Sequence, residues 1–146
     1  MDVPPRTLNI LLVDDSEDDV LLAKAVFSRL AFPHNLATLS NAAAALDYLR
    51  CAGSYSGRKP VPPDLLLLDI NMPGMDGFSL LREIKADQRL RKIPVIMLTT
   101  SSSATDIRRS YEHGAASFLT KPANFEGFRE MMRRVGKYWT SVSALP

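Results

Sequence analysis

Short apolar runs that alternate with longer amphipathic stretches predict an α/β fold, in which a parallel five-stranded sheet carries helices on both faces. Two observations carry that prediction. The segment LLLLD at 65–69 sets four consecutive aliphatics before an acid, which marks a strand buried on both faces and hence central in its sheet. Four further strand-like runs each lead into a segment with helical spacing, giving five βα units. Size agrees with one such layer system: 146 residues, 46% of them hydrophobic, bury roughly two thirds of their unfolded surface without help from metals or disulfides. The expectation is a single domain spanning 1–146 with its core at about 7–140 and no output domain.

In chain order, the first strand is read at Leu8 to Val13, and a helix from about Ser16 to Leu30 follows, with Val20, Ala23, Phe27 and Leu30 on one stripe. A weaker strand at His34 to Leu39 precedes a helix built on AAAALDYLR, which Ser40 or Asn41 can cap and whose end Gly53 marks. The stretch GSYSGRKPVPP, from Gly53 to Pro63, is a loop longer than α/β units usually carry. It reads as a tolerated insertion or a partner-contact element, and the small cost of long surface loops favours insertion. After LLLLD come the turn MPGMDG, a helix from about Phe78 to Asp87, and a strand at Ile93 to Leu98 with Pro94 near its start. A helix from Ala104 to His113 ends at Gly114; a short strand at Ser117 to Leu119 and a helix from about Asn124 to Trp139 complete the pattern.

Charge is unevenly placed. The first twenty residues hold six acids against Arg6, whereas 82–137 holds twelve bases against six acids. Those bases alternate with acids at helical spacing, as on a solvated helix face, and no groove-reading motif accompanies them, so neither DNA nor RNA is expected as a partner. The single Cys51 has no intramolecular disulfide partner and MDVPPRT contains no apolar leader core, which points to a cytoplasmic protein. No apolar run approaches the ~20 residues that cross a bilayer.

Right-handed crossovers bring the carboxyl ends of parallel strands to one edge, where ligands bind. Here the first strand ends in Asp14 and Asp15, the third in Asp69, the fourth in Thr99 and the fifth runs into Lys121. Three carboxylates in one pocket repel each other unless a proton or a cation intervenes. A hard divalent ion, Mg²⁺ with Mn²⁺ as an alternative, suits Asp15, Asp69 and a carbonyl just beyond Asp69, with waters held by Asp14. Capping of the first helix would account for Asp14 or Asp15, but it leaves unexplained an acid that closes a buried aliphatic strand. With a cation present, Asp69 becomes a nucleophile toward a phosphoryl group, Lys121 supplies a second positive charge, and the Thr99 hydroxyl donates to a phosphoryl oxygen.

Through VDDSEDD, LLLLDINMPGMDG, IPVIMLTTS and FLTKP, the chain resembles the receiver domain of two-component response regulators along nearly its whole length. The resemblance implies a flavodoxin-like (βα)5 fold with strand order 2-1-3-4-5. It also implies Asp69 as phospho-acceptor, metal binding by Asp14, Asp15, Asp69 and the main-chain carbonyl of Asn71, Thr99 as the switch hydroxyl and Lys121 as a phosphate contact. A cis Lys121–Pro122 bond is expected on the same ground. Phe118 stands where receivers carry an aromatic switch residue, commonly Tyr. The positions two beyond the acceptor and two beyond the switch hydroxyl, which tune phosphoryl loss in receivers, are Asn71 and Ser101. Neither is charged.

DDSEDD, the extended loop before the third strand and TTS resemble the single-domain regulators paired with bacterial phytochrome histidine kinases. That implies a phytochrome-type kinase as partner, a downstream protein, and homodimerisation through the face made by the fourth helix, fifth strand and fifth helix. The fifth helix supports the last point independently. Its apolar row Phe125, Phe128, Met132, Val135 and Trp139 is widened by Met131 and Tyr138, so with Tyr111 a surplus apolar face is available; Tyr111, Phe128, Met131 and Tyr138 are the candidate dimer residues. The chain is read as a phospho-acceptor with self-catalysed transfer and slow autodephosphorylation rather than an enzyme. A phosphate sink or relay intermediate, or a scaffold that is never phosphorylated, is the alternative. An FMN-binding flavodoxin would need hydroxyls and amides where DDSEDD stands, and a haloacid-dehalogenase-type phosphatase would need a second acid where Asn71 stands.

Overall fold

The computed structural model describes residues 6–100 and 103–142, with side chains through 140. Five βα units follow in chain order: β1 Leu8–Val13, α1 Glu17–Phe27, β2 His34–Leu39, α2 Ala42–Arg50, β3 Leu65–Asp69, α3 Gly77–Ala86, β4 Val95–Thr99, α4 Ala104–Glu112, β5 Ser117–Thr120 and α5 Phe125–Lys137. The strands pair in parallel in the order 2-1-3-4-5, so β3 is central and β2 and β5 are the edges. The four leucines of β3 alternate between two cores. Leu66 and Leu68 pack with α2 and α3 on one face, while Leu65 and Leu67 pack with α1 and α5 on the other. That division explains the unbroken aliphatic run.

Helix starts follow their caps. Ser16, Asn41, Asp76, Ser103 and Asn124 each accept a backbone N–H three residues on, closing the first turns of α1 to α5. Helix α1 stops three residues short of the expected Leu30, where Ser28, Arg29 and Leu30 close turns onto Lys24, Val26 and Phe27. Helix α5 becomes a single π turn over Tyr138–Val142, with Thr140 Oγ1 donating to the Gly136 carbonyl. At Gly136 a Cβ would lie 2.1 Å from the Phe32 ring, so this glycine lets α5 seat against the loop before β2.

Two expectations are corrected. The α5 row that includes Phe128, Met132, Val135 and Trp139 is turned toward α1 and the sheet, and Phe128 lies buried in that core, so it leaves the candidate dimer face. Tyr111 and Tyr138 stay exposed, and Met131 is half-buried. The Lys121–Pro122 bond is trans, since no cis peptide occurs among the described residues. Trans is the form a prolyl amide prefers by about 0.5–1 kcal/mol, and the Lys121 N–H continues the β4–β5 pairing by donating to the Thr99 carbonyl at 2.7 Å. The 53–63 loop is tied back to α2 and to itself by one side chain. Its Arg58 guanidinium lies 3.8 Å from the centre of the Tyr48 ring and donates to the carbonyls of Tyr48 and Val61.

Helix α4 is attached differently from the others. Ser110 is its one fully buried residue, and two polar clasps supplement it. The Arg109 guanidinium stacks 4.0 Å from the Phe78 ring centre, and the Tyr111 hydroxyl accepts the Phe118 N–H at 3.2 Å.

Candidate functional site

The carboxyl ends of β1, β3, β4 and β5 meet at one edge of the sheet, as the crossover rule requires. Register places Val13 beside Leu68 and Asp69 beside Leu98, which sets Asp14 next to Asp69 one residue beyond the paired segment. Carboxylate oxygens of Asp14, Asp15 and Asp69 lie within 4.8 Å of one another. Asp14 and Asp69 are buried, while Asp15 is exposed at the rim. Three such oxygens at this spacing are a donor set that fits a hard divalent cation.

The backbone after Asp69 is held tightly. Gly77 donates to the Ile70 carbonyl at 3.0 Å, and a Cβ on Gly77 would fall 2.4 Å from the Asp69 carbonyl oxygen. The start of α3 is thereby pressed onto the residues following the central acid. Asn71 donates its backbone N–H to Asp69 Oδ1 at 3.4 Å and its side-chain amide to Thr99 Oγ1 at 3.5 Å. One residue thus touches both Asp69 and Thr99. Ser101 lies outside the described residues.

Burial pushes the Asp69 carboxyl up to about 6, helped by the charges of Asp14 and Asp15 and opposed by Lys121 and by the Asn71 amide. Lys121 is a nearly buried ammonium. Burial alone would lower its pKa, but hydrogen bonding and attraction from Asp14, Asp69 and Asp19 more than reverse this and hold it charged. Its Nζ lies 2.6 Å from Asp14 Oδ2 and 3.0 Å from Asp19 Oδ2. Asp14 also accepts the Ser16 N–H at 3.0 Å, so both of its oxygens are engaged. Phe118, at the β5 edge, is half-buried against the core on the α3 side of the sheet.

Asp14, Asp15, Asp69, Asn71, Thr99 and Lys121 therefore fall at this edge, and Phe118 on the strand leading to it. Asp19 is the residue that the strand-end argument missed. Its signal was the second acid pair of VDDSEDD, four residues after Asp15 and so one helical turn along α1.

Over residues 10–133 the sequence matches the family described as the response regulator receiver domain. The chain belongs to that family. Among receivers, it is 36% identical over 143 residues to the response regulator Rcp1 of Synechocystis sp., covering 98% of this chain and 95% of Rcp1. It is 39% identical over 137 residues to FilR2 of Methanothrix harundinacea, named as a probable methanogenesis regulatory protein, covering 94% of this chain and 86% of FilR2. The fold superimposes on the crystal structure of the phosphorylated cyanobacterial phytochrome response regulator RcpA with a TM-score of 0.88 at 35% identity, covering 97% and 99% of the two chains. The Mn²⁺-bound structure of Rcp1 gives 0.84 at 36% identity, covering 95% and 99%. This receiver is thus a two-component response regulator domain whose relatives include phytochrome-associated regulators, one of them seen with a divalent metal.

Proposed function

We propose that this receiver accepts a phosphoryl group on Asp69 from a histidine kinase and signals by altered binding to another protein. The observation that carries the reading is the cluster of Asp14, Asp15 and Asp69 oxygens within 4.8 Å, flanked by Lys121 and Thr99. Asp69 attacks phosphorus through a carboxylate oxygen; the P–O bond forms as the P–N bond of the donor phosphohistidine breaks, and the imidazole leaves with the electron pair and takes a proton from solvent. Asp14, Asp15, Asp69 and the Asn71 carbonyl are assigned to Mg²⁺, which when bound offsets negative charge around the transferring group. Lys121 pairs with the phosphoryl oxygens, and the Thr99 hydroxyl donates to one of them. Ionised Asp69 is the attacking form and the form that binds the cation, so acceptance should fall in acid, where protonation of Asp69 opposes both.

On this reading Thr99 turns toward the phosphoryl group and Phe118, on the neighbouring strand with its N–H held by the Tyr111 hydroxyl, repacks in response. The same reading makes the kinase a phytochrome-type protein of the cytoplasm, on the strength of the likeness to Rcp1 and RcpA. It makes the assembly a homodimer through α4, β5 and α5, with Tyr111, Met131 and Tyr138 at the contact. The test is phosphorylation by acetyl phosphate with Mg²⁺, read by mass spectrometry and light scattering. Wild type should gain one phosphoryl group only with the metal, and Asp69→Asn should gain none. No gain in wild type would turn the assignment to a scaffold.

A further inference from the structure

We propose that Asp19 is a positioning residue that holds Lys121 in the unphosphorylated state and must release it when Asp69 is phosphorylated. The inference rests on the receiver reading and adds a regulator of the same site. Lys121 Nζ is bound by two carboxylates, Asp14 at 2.6 Å and Asp19 at 3.0 Å, and among the described residues neither a hydrogen bond nor an ion pair joins it to Asp69. The Lys121 side chain is only 9% exposed, so its charge cannot leave both partners without finding another anion.

The two partners are not equivalent. Asp14 is 1% exposed and belongs to the carboxylate cluster, so it is the partner that a divalent cation competes for. Asp19 is 40% exposed, stands on the first turn of α1 with its N–H tied to Ser16 Oγ, and can turn to water when deserted. With Asp14 facing a cation, Asp19 is the remaining carboxylate of the pair for the ammonium. A phosphoryl group on Asp69 presents new anionic oxygens to the same three N–H donors. The Asp19 contact therefore stabilises the resting arrangement selectively, and the phosphorylated arrangement is disfavoured by the worth of that pair. Asp19 also joins the transfer site to α1, so release of Lys121 frees one surface carboxylate on that helix.

The experiment is calorimetric titration with beryllofluoride, a phosphoryl mimic, at saturating Mg²⁺. Asp19→Asn should bind about two- to fivefold more tightly than wild type, the range a half-exposed ion pair is worth. Asp19→Glu, which restores the anion, should return toward wild type. Asp18→Asn removes an equal charge from the same turn without touching Lys121 and should change nothing. Equal or weaker binding by Asp19→Asn, or an equal gain in Asp18→Asn, overturns the proposal. If wild type itself binds no beryllofluoride, the receiver reading fails and the inference with it; a null result confined to Asp19→Asn leaves that reading standing.

Discussion

In the proposed reaction Asp69 has to be sheltered and yet charged to attack, and these demands oppose each other. Its pKa is pushed up to about 6 chiefly by burial, against 3.8 in an unfolded chain, so between those values the folded state binds the extra proton. Stability of the metal-free protein should therefore fall as pH rises from about 4 to about 6 and stay lower above, a contribution of about 3 kcal/mol. Asp69→Asn removes the ionisation. In urea melts without metal it should be more stable than wild type by about 1–3 kcal/mol at pH 7.5, with the gap closing toward pH 4. A gap that is constant with pH would show that the carboxylate is not the source. Lys121→Ala should still take phosphate from acetyl phosphate, more slowly, yet fail to show the spectral or binding change that phosphate induces in wild type. Normal switching in that variant would remove Lys121 from the mechanism.

At the scale of elements, the strand ends were legible because parallel pairing and one crossover hand determine where they go, whatever the loops do. The acid after four leucines needed no structure to be placed beside Asp14. What stayed hidden were contacts that depend on how a helix is rotated and what covers it. Periodicity identified the apolar row of α5 but not its partner, and Phe128 proved to be core. Asp19, and the Arg109 and Tyr111 clasps of α4, are side chains reaching across elements, which no repeat in the sequence encodes. The α3 junction offers a direct test of element packing. Gly77→Ala would drive a methyl into the Asp69 carbonyl, and because that oxygen belongs to the strand end the helix must move instead. A loss of about 1–3 kcal/mol in urea melts is expected, together with slower phosphoryl uptake. Loss of stability with unchanged uptake would separate the helix from the site.

For the whole molecule, the acid cluster makes the folded state the one that gathers three carboxylates, and a cation that binds there binds only that state. At a hundred times its Kd, Mg²⁺ should add about 2.7 kcal/mol to unfolding, seen as a rise in Tm. Asp14→Asn should lose most of that rise, whereas a variant on the distant 53–63 loop such as Lys59→Ala should keep it. An undiminished rise in Asp14→Asn would place the cation elsewhere.

The sheet order has one more consequence, for a chain still being made. β1 and β3 are neighbours in space, yet the whole second βα unit and the 53–63 loop lie between them in sequence. A ribosome-bound chain that has emerged only through β2 carries the acid pair but no acceptor, and Lys121 comes later still. Such long-range pairing is slow to form, so partly folded chains persist for a time. Those that end before β3 lack Asp69, so on the proposed reading they offer a kinase no acceptor, and phosphoryl groups are not spent on them.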